Sequence, residues 1–248
     1  MIASRYGIWA GLCLGLFLIV ANTSYLYLVA TFRYDDILRE PMPVILEEFA
    51  AGGSELVLAW AVLAWSSLIF VVAACLVGRA LTEEHGQVVW MATAAGVASG
   101  LVQAAGSFRW VFAVPSMAFA YPGAHPLQQL TIAEAFNALH QYAGVALTEH
   151  LGQMLLVAWT AGVAAACWRV GGALRYASYI GMLSIPLWLI GQSELYATAI
   201  PAVPVIETAQ IAFLVWMLFV LALACGLMFR LKKRRRSSAA APEIAAAA

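Results

Sequence analysis

The chain has 248 residues, of which 64% are hydrophobic and 10% charged. A soluble domain of that size has no core able to hide so much apolar surface, so lipid is the expected solvent. Equal numbers of basic and acidic residues leave a formal charge of zero, and no nucleic-acid partner is expected.

Six stretches are long and apolar enough to cross a bilayer, which takes about 20 residues each. They are Gly7–Ala30, Glu55–Arg79, Val88–Val114, Leu147–Trp168, Tyr176–Leu195 and Ile206–Phe229. The runs are continuous and do not alternate with period two, which excludes a strand-built barrel. The predicted fold is therefore all-α: a polytopic bundle of six transmembrane helices over residues 1–231, followed by a tail over 232–248. That tail begins basic and ends in the low-complexity Ser237–Ala248, expected to be disordered.

Charge placement orients the bundle. Six basic residues in Arg230–Arg236 follow the last span, and Lys or Arg beside a helix end mark the cytoplasmic side. Six spans return the N-terminus to that side. Arg5, Arg79, Arg169, Arg175 and the six tail residues are then internal, against Arg33, Arg39 and Arg109 outside. Acids divide the other way, with Asp35, Asp36, Glu40, Glu47, Glu48, Glu55, Glu134, Glu149, Glu194 and Glu207 external. Both termini are expected in the cytoplasm, the chain in a bacterial cell membrane, and the basic tail against anionic lipid. Cys13, Cys75, Cys167 and Cys225 fall in the cytoplasmic halves of spans and read as small buried hydrophobes with no disulfide framework.

In chain order, the first span is too long for a cleavable signal, and its Gly11 and Gly15 predict close helix packing. The loop Thr31–Ser54 reads as structured, with an interfacial helix over Val44–Ala51 that Gly52-Gly53 breaks. The segments Tyr34–Pro41 (YDDILREP), Phe49–Trp60 (FAAGGSELVLAW), Arg109–Pro115 (RWVFAVP) and Tyr142–Gly152 (YAGVALTEHLG) together resemble the bacterial six-helix membrane family known as domain of unknown function 4386. The likeness runs from the first helix to about Trp168. It implies a multi-pass integral membrane protein without an assigned activity, and it brings no site residues with it.

Gly96, Gly100, Ala104 and Ser107 form a small-residue face on the third span, with Gln103 beside it. Pro115 is expected to turn the chain, Tyr121–Pro126 to form a loop, and Thr131 to cap the next helix with Glu134 in a capping box. Pro186 predicts a kink in the fifth span.

Depth along the helices singles out the candidate site. Arg109 lies about 32 Å beyond Val88 and Glu149 about 30 Å before Arg169, so an antiparallel pair of helices brings them to one level. His150, Gln153 and Glu194, with Glu207, fall near the same depth, and ionisable residues inside a membrane point to function. Arg109, Glu149, His150, Gln153 and Glu194 are the candidates for ligand binding or charge pairing. His125 and His140 are placed outside the spans, so two deep histidines for haem are missing. Neither a His-Glu-x-x-His nor a Gly-x-Ser-x-Gly occurs, so no catalytic residue, metal or cofactor is expected.

Three function classes follow. The leading one is a non-catalytic sensor, accessory or regulatory membrane protein with an outward-facing polar cluster, acting on an unidentified membrane partner. The second is a transporter or small-ligand or cation-binding protein, although the two halves show no inverted repeat. A metal-dependent membrane enzyme is the third.

Overall fold

A computed structural model describes residues 5–82 and 86–229; the basic tail and the segment expected to be disordered lie outside the described residues. Six helices are long and apolar enough to cross a membrane: α1 (Arg5–Phe32), α2 (Met42–Thr82), α3 (Gly86–Ala120), α4 (Pro126–Val170), α5 (Ala173–Ala197) and α6 (Ala209–Phe229). No strand occurs among the described residues. Large apolar side chains such as Trp90, Phe112 and Leu214 are exposed along the helices, as lipid-facing positions require.

Several helices extend past the predicted spans, and the local chemistry explains each case. Helix α2 starts at Met42, after a 3-10 turn at Asp36–Arg39, and Gly52-Gly53 does not end it. Gly53 takes φ 56°, a single left-handed residue, and helical hydrogen bonding resumes after it. Pro115 does not turn the chain either. It stands in the first turn of the helical piece Val114–Ala120, where its missing N–H needs no acceptor, and the chain turns only at Tyr121.

Helix α4 begins at Pro126, five residues before Thr131. His125 caps it: Nδ1 accepts from the Leu127 N–H at 3.4 Å, and Gln128 Oε1 accepts from the His125 N–H at 3.3 Å. Thr131 instead donates its hydroxyl to the Leu127 carbonyl at 2.9 Å, within the helix. Pro186 lies inside α5.

The chain divides into two compact units. One comprises Met1–Leu18, Val72–Val97 and Leu155–Ala248. Its interior is built on Trp159, whose ring lies 6.2 Å from Trp216 and 5.9 Å from Phe219, edge-on to both. The Trp216 indole N–H donates to Thr160 Oγ1 at 2.9 Å, which satisfies a polar atom that burial would otherwise strand. Gly96 gives the Trp159 ring room, and Gly11 does the same for Met228 and the Ala224 backbone. Nothing stands against Gly15, so only one glycine of that pair packs.

The other unit comprises Ile19–Val71 and Ala98–Met154. Its core gathers Phe32, Phe49, Trp60, Trp110 and Phe136 around Ile37, Ile45 and Leu46, all buried. Trp60 and Trp110 stack at 4.7 Å with an interplanar angle of 11°. The segment predicted as an interfacial helix, Val44–Ala51, thus supplies Ile45, Leu46 and Phe49 to the core.

Cys167 is buried and Cys13 and Cys225 half-buried, but Cys75 is exposed, because its position on α2 faces outward.

Candidate functional site

Within the second unit, α3 and α4 are antiparallel neighbours. As the number rises from Ser99 through Gly106 to Arg109 on α3, the facing residue on α4 falls from Gly152 through Thr148 to Gly144. Gln103 Nε2 donates to Ser99 Oγ at 2.8 Å, and that hydroxyl donates to the Gly152 carbonyl at 2.8 Å, a relay that holds the two helices in register. Gly106 has no side chain because the Ala143 carbonyl and Thr148 Oγ1 occupy that space.

Facing Arg109, α4 changes its winding. Residues His140–Leu151 form a π-helix, between α-helical Pro126–Leu139 and Gly152–Val170. Such i→i+5 winding is rare, mostly confined to single turns, and concentrated at functional sites. The Thr148 hydroxyl follows the same register, donating to the Ala143 carbonyl five residues back at 2.7 Å. The predicted candidates Glu149 and His150 lie in this segment, half-buried, and Gln153 just after it, also half-buried.

Arg109 is 8% exposed. Nη1 donates to the Gly106 carbonyl at 2.7 Å, and the guanidinium lies 5.2 Å from the Trp110 ring centre in cation–π contact. Nη2 faces Gly144, where a Cβ would stand 2.6 Å from it, and Nε has no hydrogen-bond partner. Glu149 attracts the guanidinium as a charge, without a contact ion pair between the two among the described residues.

His140, expected outside the spans, is 4% exposed within α4 and stacked on Phe136 at 5.7 Å and 16°. Its Nδ1 points to the same Gly144 position as Arg109 Nη2, 3.4 Å from where a Cβ would stand, and has no hydrogen-bond partner. Phe136, His140 and Gly144 are each buried and spaced by four, a one-face pattern already present in the helix expected from Thr131.

A second residue joins the cluster from the loop before α2. Tyr34 is flanked by Arg33 at φ 50° and Asp35 at φ 79°, two left-handed non-glycine residues in succession around it. That backbone turns the Tyr34 ring inward, 5.0 Å from Trp60 and edge-on to it. The phenol is held well above its ordinary range, by burial first and then by the negative charges of Asp35 and Glu149, with Arg109 opposing. It stays protonated, so its O–H remains a donor. Asp35 in turn accepts from the Tyr25 hydroxyl at 2.7 Å, and Arg33 pairs with Glu48, and with Glu40 at 3.6 Å, securing the loop.

The fifth candidate, Glu194, belongs to the other unit, half-buried near the end of α5 beside buried Gln192. The structure thus places Arg109, Glu149, His150 and Gln153 in one unit and adds His140 and Tyr34. No group of three or more His, Cys, Asp or Glu suited to a metal ion occurs among the described residues.

The family model for "Domain of unknown function (DUF4386)" matches residues 9–220. The chain belongs to the DUF4386 family. No curated protein and no solved structure matches it. The DUF4386 match covers both compact units, so the π-helix, Arg109 and Tyr34 all lie within it.

Proposed function

We propose that this DUF4386 protein is a non-catalytic sensor or accessory protein of the bacterial cell membrane, with both termini cytoplasmic and a ligand-responsive polar cluster toward the outer side. The observation that carries the reading is two enclosed nitrogens without a hydrogen-bond partner, Arg109 Nε and His140 Nδ1, whose side chains both pack against Gly144. A cluster serving only to fix helix register has every reason to close its hydrogen bonds, because each buried polar atom left unmade costs about 1–3 kcal/mol. Two open groups of this kind at a π-helix favour a site completed by something from outside the chain. The orientation rests on the ten basic residues assigned to one side against three on the other, and anionic lipid is the partner of the tail.

The test is a melting screen of the detergent-purified protein against simple ions, metals and polar metabolites. A ligand that binds the folded form raises the melting temperature in proportion to the logarithm of its concentration above Kd. At least one solute should do so in the wild type and fail in Arg109→Gln. A panel with no response would leave the cluster as scaffold.

A further inference from the structure

We propose that the start of α5 binds the headgroup of an anionic phospholipid through Arg175, seated on the Trp168 ring. Helix α4 ends at Val170 and α5 begins at Ala173. Gly171 at φ 75° and Gly172 at φ 61° make the turn, in the left-handed region where a side chain is strained. So short a turn folds α5 back along α4: the Ser178 hydroxyl donates to the Ala164 carbonyl at 2.7 Å, and Arg175 meets Trp168. The guanidinium lies 5.3 Å from the indole ring centre, and the Tyr179 ring stands edge-on to the same indole at 5.0 Å. This cation–π contact positions Arg175 without neutralising its charge. Arg175 is exposed and forms no ion pair among the described residues.

The order of side chains along α5 fits a lipid. Arg175, Tyr179, Met182 and Leu183 fall at helical spacing on one face, and all are exposed. A cation is followed there by an aromatic ring and then by aliphatic side chains, as phosphate, interface and acyl chain follow one another in an anionic phospholipid. A free phosphate would meet only the first of the three. The described acids of this unit, Glu194 and Glu207, stand away from Arg175. Glu194 lies about 28 Å further along α5, beyond the roughly 10 Å over which exposed charges act. Glu207 precedes α6, and it is the other end of α6, at Gly226, that packs on Leu174 beside Arg175. Arg79 makes a similar contact, 5.8 Å from the Tyr6 ring centre. Glu83 and Glu84, outside the described residues, closely follow Arg79 in sequence, so the site is assigned to Arg175 and Trp168.

The experiment follows the melting temperature of the full chain in detergent micelles doped with phosphatidylglycerol or with phosphatidylcholine of the same acyl chains, and in a third series with sodium phosphate. Phosphatidylglycerol should raise it saturably, and the other two much less. Because the basic tail also attracts anionic lipid, the variants decide. Arg175→Gln, at an exposed position, should raise the half-saturating fraction of phosphatidylglycerol about fivefold, the effect of one basic residue near an anionic surface. Trp168→Leu keeps the charge but removes its seat, and should raise that fraction by a smaller factor. Both effects should persist when the basic residues of Arg230–Arg236 are replaced with Gln. Equal protection by the two lipids, or by phosphate alone, overturns the proposal, as does either variant responding like the wild type.

Discussion

Arg109 is the residue on which the candidate site depends, and its environment sets opposing demands. It is buried, attracted by Glu149 through charge, and bonded through Nη1 to a backbone carbonyl on its own helix. Removing Glu149 should leave the buried Arg109 guanidinium without that attraction, while removing both charges relieves the problem. A double-mutant cycle with Arg109→Leu and Glu149→Leu should therefore show coupling of about 1 kcal/mol, with the double variant melting above the sum of the single losses. Simple additivity would mean that the two charges do not sense each other.

Tyr34 makes a second residue-scale test. Its folded-state pKa is raised, so the unfolded chain ionises first on going alkaline, and the stability present below about pH 10 is lost above it. Tyr34→Phe cannot ionise and should flatten the fall in melting temperature measured from about pH 9 to about pH 11. Curves with the same slope would show that the phenol is not enclosed in the folded state.

At the scale of the element, the π-helix His140–Leu151 and the α3 surface facing it are matched through glycines. Gly106→Ala drives a methyl against the Ala143 carbonyl, a backbone atom that cannot yield cheaply, and should destabilise by about 1–3 kcal/mol. Gly15→Ala on α1 meets nothing within 4 Å and should gain up to about 1 kcal/mol from better helix propensity. Melting temperatures of the two variants should thus move in opposite directions. A neutral Gly106→Ala would mean that α3 and α4 are not in close contact there.

At the scale of the whole molecule, the proposed cytoplasmic termini rest on the basic residues. A reporter that works only in the cytoplasm, fused after Ser238, should be active, and replacing the basic residues of Arg230–Arg236 with Gln should reduce that activity by weakening the inward bias. Cleavage of the tail by an impermeant protease in intact cells would reverse every loop. Unchanged reporter activity in the Gln variant would show that the remaining internal arginines suffice.

The helical membrane class and the number of spans were legible in the sequence alone, because hydrocarbon demands long apolar runs and backbone groups satisfied within each helix. The antiparallel approach of the helices that carry Arg109 and Glu149 follows from the short connection between them, but the residue set against Arg109 is Gly144. The sequence did not show that helix α4 starts at Pro126, because the cap is a histidine and the first turn is polar. His140 already lay in the helix expected from Thr131, and what that reading lacked was its burial against Phe136. The π-helical winding, the inward turn of Tyr34 and the packing of Arg109 on Gly144 were decided only in the tertiary structure. Each depends on a neighbour distant in sequence: Gly106 and Arg109 against Thr148 and Gly144, and Trp60 against Tyr34. Local propensity carries no information about such pairings, whereas close packing of one helix on another fixes them.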